Sequence, residues 1–195
     1  MFDLMPYATY SLVMSIMPGP NNVMLTASGA TFGFRRTIPH LLGISAGCAI
    51  QMIAVCAGLG TLFHHWPILQ TILQWVGAAY LVYLGWKLLG SAEIREGTAQ
   101  EPIGFWRAAG FQFVNPKAWV MSLTAVALFL PTDISVLVAC GYLVAMMVVI
   151  NMPCISIWAL FGSSLRGWLT RPSRRMGFNV AMAVALAATG AMMVI

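Results

Sequence analysis

Six long apolar runs, separated by short polar segments, make up most of the chain. Each contains at least 20 residues, and a helix needs about 20 mostly apolar residues to cross the hydrocarbon core of a bilayer. The pattern predicts an all-α integral membrane protein with six transmembrane helices. The predicted spans are Met5–Thr31, Leu41–Phe63, Ile68–Leu89, Ala108–Leu130, Ile134–Gly162 and Met176–Ile195.

The composition supports a lipid environment. Hydrophobic residues make up 60% of the chain and charged residues only 8%, whereas soluble domains carry about 25% charged residues. Because so few charges cannot cover a water-facing surface, the lipid bilayer is the expected partner. The net charge of +5 therefore does not indicate binding to nucleic acid. The four cysteines lie in apolar runs without C-x-x-C spacing, so no metal site and no cofactor is predicted.

The basic residues predict one orientation. Nine of the ten lie in or beside the first, third and fifth connections, the first of which is the predicted loop FGFRRTIPH. By the positive-inside rule these connections are cytoplasmic, so both termini are expected on the outer (periplasmic or extracellular) side of the membrane. The nine residues are Arg35, Arg36, Lys87, Arg95, Arg107, Arg166, Arg171, Arg174 and Arg175.

Two of the apolar runs are interrupted by polar segments that contain proline. Proline has no N–H and removes one hydrogen bond of the helix, so each segment predicts a break with free backbone carbonyls. Asparagine is a common N-cap, and Asn21 and Asn22 are predicted to cap the helix that restarts after the first break. The interruptions are Pro18, Gly19, Pro20, Asn21 and Asn22 in the first run, and Asn115, Pro116 and Lys117 in the fourth.

The order of the runs predicts an internal repeat. Three spans per half give the two halves opposite orientations, and in each half the leading helix is broken. Paired broken helices in an inverted repeat indicate a substrate site near the middle of the membrane. We therefore predict a single transmembrane transporter domain, residues 1–195, built as a 3+3 inverted repeat whose halves cover about 1–95 and 105–195.

The predicted site has groups of both polarities. Free carbonyls can bind an ammonium, and the N–H groups of a restarting helix can bind a carboxylate, so a zwitterion such as an amino acid fits. Lys117 is predicted to be the counter-charge of the substrate carboxylate, because an ammonium inside the membrane needs a partner. Its expected neutral partners include the carbonyls of Met14, Ile16 and Gln112. The buried amides Gln51 and Asn151 are further candidate site residues.

The segments MPGPNN, GFRRT…GISAG, GAAYLVYLGWKLL and FQFVNPKAW resemble the LysE/RhtB family of amino-acid exporters. The resemblance runs in order from about Met5 to Trp158. It implies a six-helix inner-membrane exporter that moves amino acids or related metabolites outward as an antiporter driven by the proton gradient.

The residues favour a neutral substrate. No Asp or Glu lies inside any apolar run, and Ala46 of GISAG stands where relatives resembling exporters of cationic amino acids carry Asp. The cysteine/O-acetylserine-like and homoserine/threonine-like branches both stay open. His40 is a candidate proton-handling group. Gly43 and Gly47 form a small-residue packing face, and small-residue faces in general allow a homodimer without requiring one.

The sequence fits two other function classes less well than it fits an exporter. A passive amino-acid channel would need a polar stripe along several helices, whereas the polar residues concentrate at the two breaks. A membrane-embedded enzyme would need a cluster of acids, histidines or metal ligands at helical spacing, which the sequence lacks. The prediction is therefore a transporter and not an enzyme.

Overall fold

The computed structural model describes residues 5–60, 65–90, 101–131, 133–192 and 194. Within these residues the chain forms eight α-helices and no β-strand, which confirms the predicted all-helical class. A π-helical turn, Val55–Leu59, extends α3, and a 3-10 segment, Leu165–Thr170, follows α7. The helices are α1 (Met5–Ile16), α2 (Pro20–Phe32), α3 (Phe34–Ala54), α4 (Pro67–Gly90), α5 (Phe105–Gln112), α6 (Pro116–Phe129), α7 (Val136–Ser164) and α8 (Pro172–Met192).

Four helical stretches are long and apolar enough to cross a membrane. They confirm a membrane protein with several apolar helices. The remaining helices, α1, α2, α5 and α6, have between 8 and 14 residues and are each too short to span a bilayer alone. The four long stretches are Phe34–Leu59, Thr71–Leu89, Val136–Thr170 and Pro172–Met192.

Both predicted interruptions are breaks between helices. The first lies between α1 and α2, and the second between α5 and α6, and a proline begins the helix that follows each break. By contrast, Pro39 and Pro153 lie inside α3 and α7, which continue through them. A proline alone therefore does not decide whether a helix ends here.

The predicted loop FGFRRTIPH is wrong. Only Gly33 separates α2 from α3, so Arg35 and Arg36 lie in the first turn of a helix that starts seven residues before the predicted Leu41. Gly33 has φ +82, a conformation that a residue without Cβ adopts freely. Three predicted features lie outside the described residues: the end of the second span at Phe63, the end of the sixth span at Ile195, and Arg95 in the third connection.

Helices α2 and α7 pack closely through small residues and run in the same direction. A Cβ added at Gly29 would collide with the carbonyl of Ala159, and one added at Gly162 would collide with the carbonyl of Thr26. Helix α1 packs on the earlier part of α7, where the Tyr7 hydroxyl donates to the Leu143 carbonyl at 2.9 Å. The broken pair α1–α2 thus follows α7 along its length.

Helices α3 and α5 are packed in the same manner. A Cβ at Gly43 would meet the backbone of Phe105, and a Cβ at Gly47 would meet the backbone of Ala109. The predicted packing face of Gly43 and Gly47 is therefore occupied by a neighbouring helix of the same chain.

Helices α4 and α8 run antiparallel and pack mainly on each other. Gly85 lies against Ala183, and Gly190 lies against Ala78. Together with the other two pairs, these directions bring the start of α3, the end of α4, the start of α5, the end of α7 and the start of α8 to one end of the bundle. All described basic residues except Lys117 lie at these helix ends, and we call this the basic end.

Candidate substrate site at the two breaks

The two breaks lie against each other, joined by a pair of amide side chains. Asn21, in the first turn of α2, donates from Nδ2 to Oε1 of Gln112 at 2.8 Å, and Gln112 donates from Nε2 to Oδ1 of Asn21 at 3.1 Å. Gln112 is the last residue of α5. Residues 91 positions apart in sequence thus form one polar contact in the interior of an apolar bundle.

Gln112 is the central residue of this network, although the sequence analysis predicts a role only for its backbone carbonyl. Its side chain is fully buried and also accepts from Asn115 Nδ2 at 3.3 Å and donates to the Ala108 carbonyl at 2.9 Å. Its backbone carbonyl accepts from Gln51 Nε2 at 3.2 Å. The sequence does contain a signal for this side chain, because a glutamine four residues before Pro116 places a buried amide beside the break.

Lys117 reaches across from the second break to the first. Its Nζ donates to the Met17 carbonyl at 2.6 Å and lies 3.5 Å from the Pro18 carbonyl. As predicted, backbone carbonyls of the first break solvate this ammonium, but they belong to other residues than the predicted ones. The expected partners Met14, Ile16 and Gln112 are wrong, because the chain turns after α1 and presents the carbonyls of the break itself.

Gly19 makes this approach possible. A Cβ at Gly19 would lie 2.9 Å from Cδ and 3.1 Å from Nζ of Lys117. The backbone of Gly19 is extended, with φ −173 and ψ −179, which any residue can adopt. The glycine is therefore needed here for space and not for backbone freedom.

The predicted capping role of Asn21 and Asn22 is wrong. The N-cap of α2 is Gly19, which offers no side chain. Asn22 instead points back to the end of α1, where its Nδ2 donates to the carbonyls of Ser15 at 3.1 Å and Met17 at 2.9 Å. At the second break, Asn115 does cap α6, accepting from the Lys117 backbone N–H at 3.2 Å.

A small cavity of about 30 Å³, lined by both polar and apolar residues, lies between the breaks. Ser15 Oγ and Asn151 Nδ2 line it, and neither has a hydrogen-bond partner among the described residues. Pro18, Gln51 and Pro116 lie outside its lining, although Pro18 and Gln51 contact the network. The predicted site residues that line the cavity are Gly19, Pro20, Asn21, Asn22, Asn115, Lys117 and Asn151.

The volume of this cavity limits what it can hold. A water molecule occupies about 30 Å³ in the liquid, whereas pockets for small molecules usually measure about 300–1,000 Å³. The cavity therefore has space for about one water molecule, and the breaks are closed against an amino acid in this conformation.

Two other candidates from the sequence are placed apart from the breaks. His40 is fully buried in α3, and neither of its ring nitrogens has a partner among the described residues. Ser45 of GISAG donates to the sulfur of Met152 at 2.8 Å, and an apolar thioether cannot act as the general base that a nucleophilic serine needs.

The sequence model of the LysE type translocator family matches residues 12–195. The chain belongs to this family. A cysteine/O-acetylserine efflux protein of Salmonella choleraesuis (strain SC-B67) is 32% identical over 183 residues, which cover 92% of each chain. The protein of the same description from Escherichia coli (strain K12) is 34% identical over the same shares. No solved structure gives a significant match.

Membership of the LysE type translocators confirms the resemblance that the four sequence segments indicated. It also makes the chain a membrane transporter, so the alternative of a membrane-embedded enzyme is excluded.

Proposed function

We propose that this translocator exports a neutral amino acid, or a closely related small metabolite, out of the cytoplasm across the inner membrane. The observation that carries the proposal is the meeting of two broken helices around Lys117, whose Nζ is held by backbone carbonyls. Carbonyls solvate an ammonium without cancelling its charge. Lys117 is therefore suited to the substrate carboxylate, and the carbonyls of the break are suited to the substrate ammonium.

The lack of an acid inside the apolar runs argues against a cationic substrate. The acids of the chain are Asp3, Glu93, Glu96, Glu101 and Asp133, all outside those runs, and a second positive charge would need a buried carboxylate. The relatives described as cysteine/O-acetylserine efflux proteins favour that branch over the homoserine/threonine branch. Cysteine and O-acetylserine are the first substrates to test.

We further propose six membrane spans in a 3+3 inverted repeat. Each broken pair, α1–α2 and α5–α6, covers more than 20 residues and is long enough to form one span. The packing supports the repeat. In the proposed repeat, α1–α2 corresponds to α5–α6, α3 to α7, and α4 to α8. The contact of α1–α2 with α7 then corresponds to the contact of α5–α6 with α3, and the contact between α4 and α8 joins two equivalent helices.

The orientation follows from the basic end. We propose that this end faces the cytoplasm, which places both termini on the periplasmic side. Transport then proceeds by alternating access within a single domain, because the closed breaks leave no continuous polar stripe for a passive channel. Proton coupling is proposed from the family resemblance, with His40 as the candidate proton-handling group. A homodimer stays a prediction.

Everted membrane vesicles test the function directly. Export from the cell corresponds to uptake by such vesicles, so radiolabelled O-acetylserine or cysteine should accumulate when the vesicle interior is acidified, and a protonophore should abolish the accumulation. Vesicles without the protein are the control. Uptake that needs no gradient would instead show a channel, and a lack of uptake for every neutral amino acid would overturn the proposal.

A further inference from the structure

A second and much larger cavity lies away from the breaks. It measures about 550 Å³, within the usual range of small-molecule sites, about 300–1,000 Å³. One wall is formed mainly by α4, with Leu186 of its packing partner α8, and the opposite wall by α2 and α5. We call this cavity the cleft.

The mouth of the cleft is at the basic end and has charges of both signs. Lys87 lies in the last turn of α4, Arg107 in the first turn of α5, and Glu101 just before α5. All three are exposed. Thr31 lines the same region from the end of α2. A zwitterion finds a partner here for its carboxylate and another for its ammonium.

The inner end of the cleft is closed by an apolar layer. Met24, Leu81, Phe111 and Leu186 are buried together and form this layer with the half-buried Tyr80. The rings of Tyr80 and Phe111 lie 5.3 Å apart, centroid to centroid.

The same layer borders the network between the breaks. Met24 lies one helical turn after Asn21 on α2, and Phe111 immediately precedes Gln112 on α5. A molecule that passed the layer from the cleft would therefore arrive at the amide pair.

We propose that the cleft is the entrance vestibule for the zwitterionic substrate on the cytoplasmic side, and that the apolar layer is its closed gate. This inference rests on the proposed export function. The charges at the mouth collect and orient the substrate. A shift of the α4–α8 pair relative to α2 and α5 opens the layer and admits the substrate to the breaks. The structure is then an inward-facing conformation with its gate shut.

Thiol labelling tests whether the cleft holds water. Gly110 lines the cleft in α5, and an added Cβ there meets nothing within 4 Å. Gly110→Cys should react with a charged, membrane-impermeant thiol reagent in everted vesicles. The exported amino acid should slow the reaction, and it is supplied as O-acetylserine because the thiol of free cysteine would itself consume the reagent. The background carries Cys56→Ala, because Cys56 is the half-buried native cysteine while the other three are buried.

Gly177→Cys is the matched control. Gly177 lies five residues into α8 from the basic end, as Gly110 does in α5, and it also has free space for a Cβ, but it lies outside the cleft. It should label slowly and without protection by substrate. Lack of labelling at Gly110→Cys in a protein that exports normally would overturn the vestibule and indicate a cleft filled by lipid.

Charge removal at the mouth gives an independent test. Arg107→Gln should raise the substrate concentration for half-maximal uptake roughly threefold to fivefold, as expected for losing one exposed ion pair, with a smaller change in maximal rate. Arg35→Gln removes the same charge at the same end but outside the cleft, and should leave this concentration unchanged. If Arg107→Gln and Arg35→Gln have the same substrate concentration for half-maximal uptake, the proposed capture of substrate at the mouth is wrong.

The two proposals fail in different ways. If the parent protein moves no amino acid in everted vesicles, the proposed function is wrong whatever the labelling shows. If the parent protein transports, but Gly110→Cys is unlabelled or is not protected by the transported substrate, only the vestibule is wrong.

Discussion

Gln112, Asn21 and Lys117 connect two helix breaks that are far apart in sequence. The amide pair fixes the distance between α2 and α5, and the lysine binds the carbonyls that the first break exposes. In an apolar bundle an unpaired polar group costs several kcal/mol, so these partners stabilise one another. Ser15 and Asn151 each have one cavity atom without a partner in the described part of the chain, and these atoms are available to water or to substrate.

Gly19→Ala tests the space that Lys117 occupies. The added methyl group would lie 2.9 Å from Lys117 Cδ and would push the ammonium away from the Met17 carbonyl. A hydrogen bond to a charged group contributes about 1.5–3 kcal/mol, so export should fall about tenfold or more while the protein still inserts. Gly177→Ala, where a Cβ meets nothing within 4 Å, is the control for vesicle uptake. Unchanged uptake by Gly19→Ala would contradict the role of Lys117 at this position.

Substitution of Lys117 tests its charge. Lys117→Met should insert at least as well as the parent, because a charge that costs about 2.5–3.5 kcal/mol in a bilayer is removed, yet uptake should be lost. Lys117→Arg should also be impaired, since a planar guanidinium does not replace a compact ammonium. Membrane content by immunoblot and vesicle uptake measure the two effects. Uptake by Lys117→Met near the parental rate would eliminate Lys117 as carboxylate partner.

The helices are joined by small residues at their closest contacts. Glycine allows the backbones of α2 and α7, and of α3 and α5, to approach each other directly, as is common in membrane helix packing. These contacts hold the broken helices against continuous ones. The α4–α8 pair is packed less tightly on the rest of the bundle and borders the cleft, so it is the element best placed to move.

Gly162→Ala tests the contact between α2 and α7. Its Cβ would collide with the Thr26 carbonyl, and overpacking of this kind usually costs about 1–3 kcal/mol. The purified variant should melt at a lower temperature in detergent and lose uptake. Gly141→Ala, on the same helix with nothing within 4 Å of the added atom, should melt like the parent. If both variants melt alike, the close α2–α7 contact does not limit stability.

The whole molecule combines a closed polar site with an open cleft at one end. The cavity at the breaks measures about 30 Å³ and the cleft about 550 Å³. The proposed alternating access needs such an asymmetry in each state, because simultaneous access from both sides would let the substrate leak back.

Reporter fusions test the proposed orientation of the molecule. Fusions after Leu89 and Leu165 should report a cytoplasmic location, because they follow helices that end at the basic end. Fusions after Pro131 and at the C-terminus should report a periplasmic location. A cytoplasmic C-terminus would contradict the six-span arrangement and the inverted repeat together.

Local signals in the sequence were sufficient for the helical class, the long apolar helices and the position of both breaks. Hydrophobic run length follows from the thickness of the bilayer, and Pro18, Pro20 and Pro116 remove backbone donors wherever they stand. The local signals were not sufficient to predict where α3 begins. Gly33 allows a turn of a single residue, so the arginines that looked like a loop form the first turn of a helix.

The sequence by itself determined which polar groups would be placed in the apolar interior, because each proline frees carbonyls and each amide needs a partner. Only the tertiary structure decided how those groups pair. Asn22 caps α1 and not α2, and Lys117 binds Met17 and not Met14. Asn22 reaches carbonyls only five and seven residues away, once the chain turns between α1 and α2. The Lys117 contact depends instead on the distance between residues 100 positions apart, which is set by the glycine contacts of α2 with α7 and of α3 with α5. No local pattern contains that information.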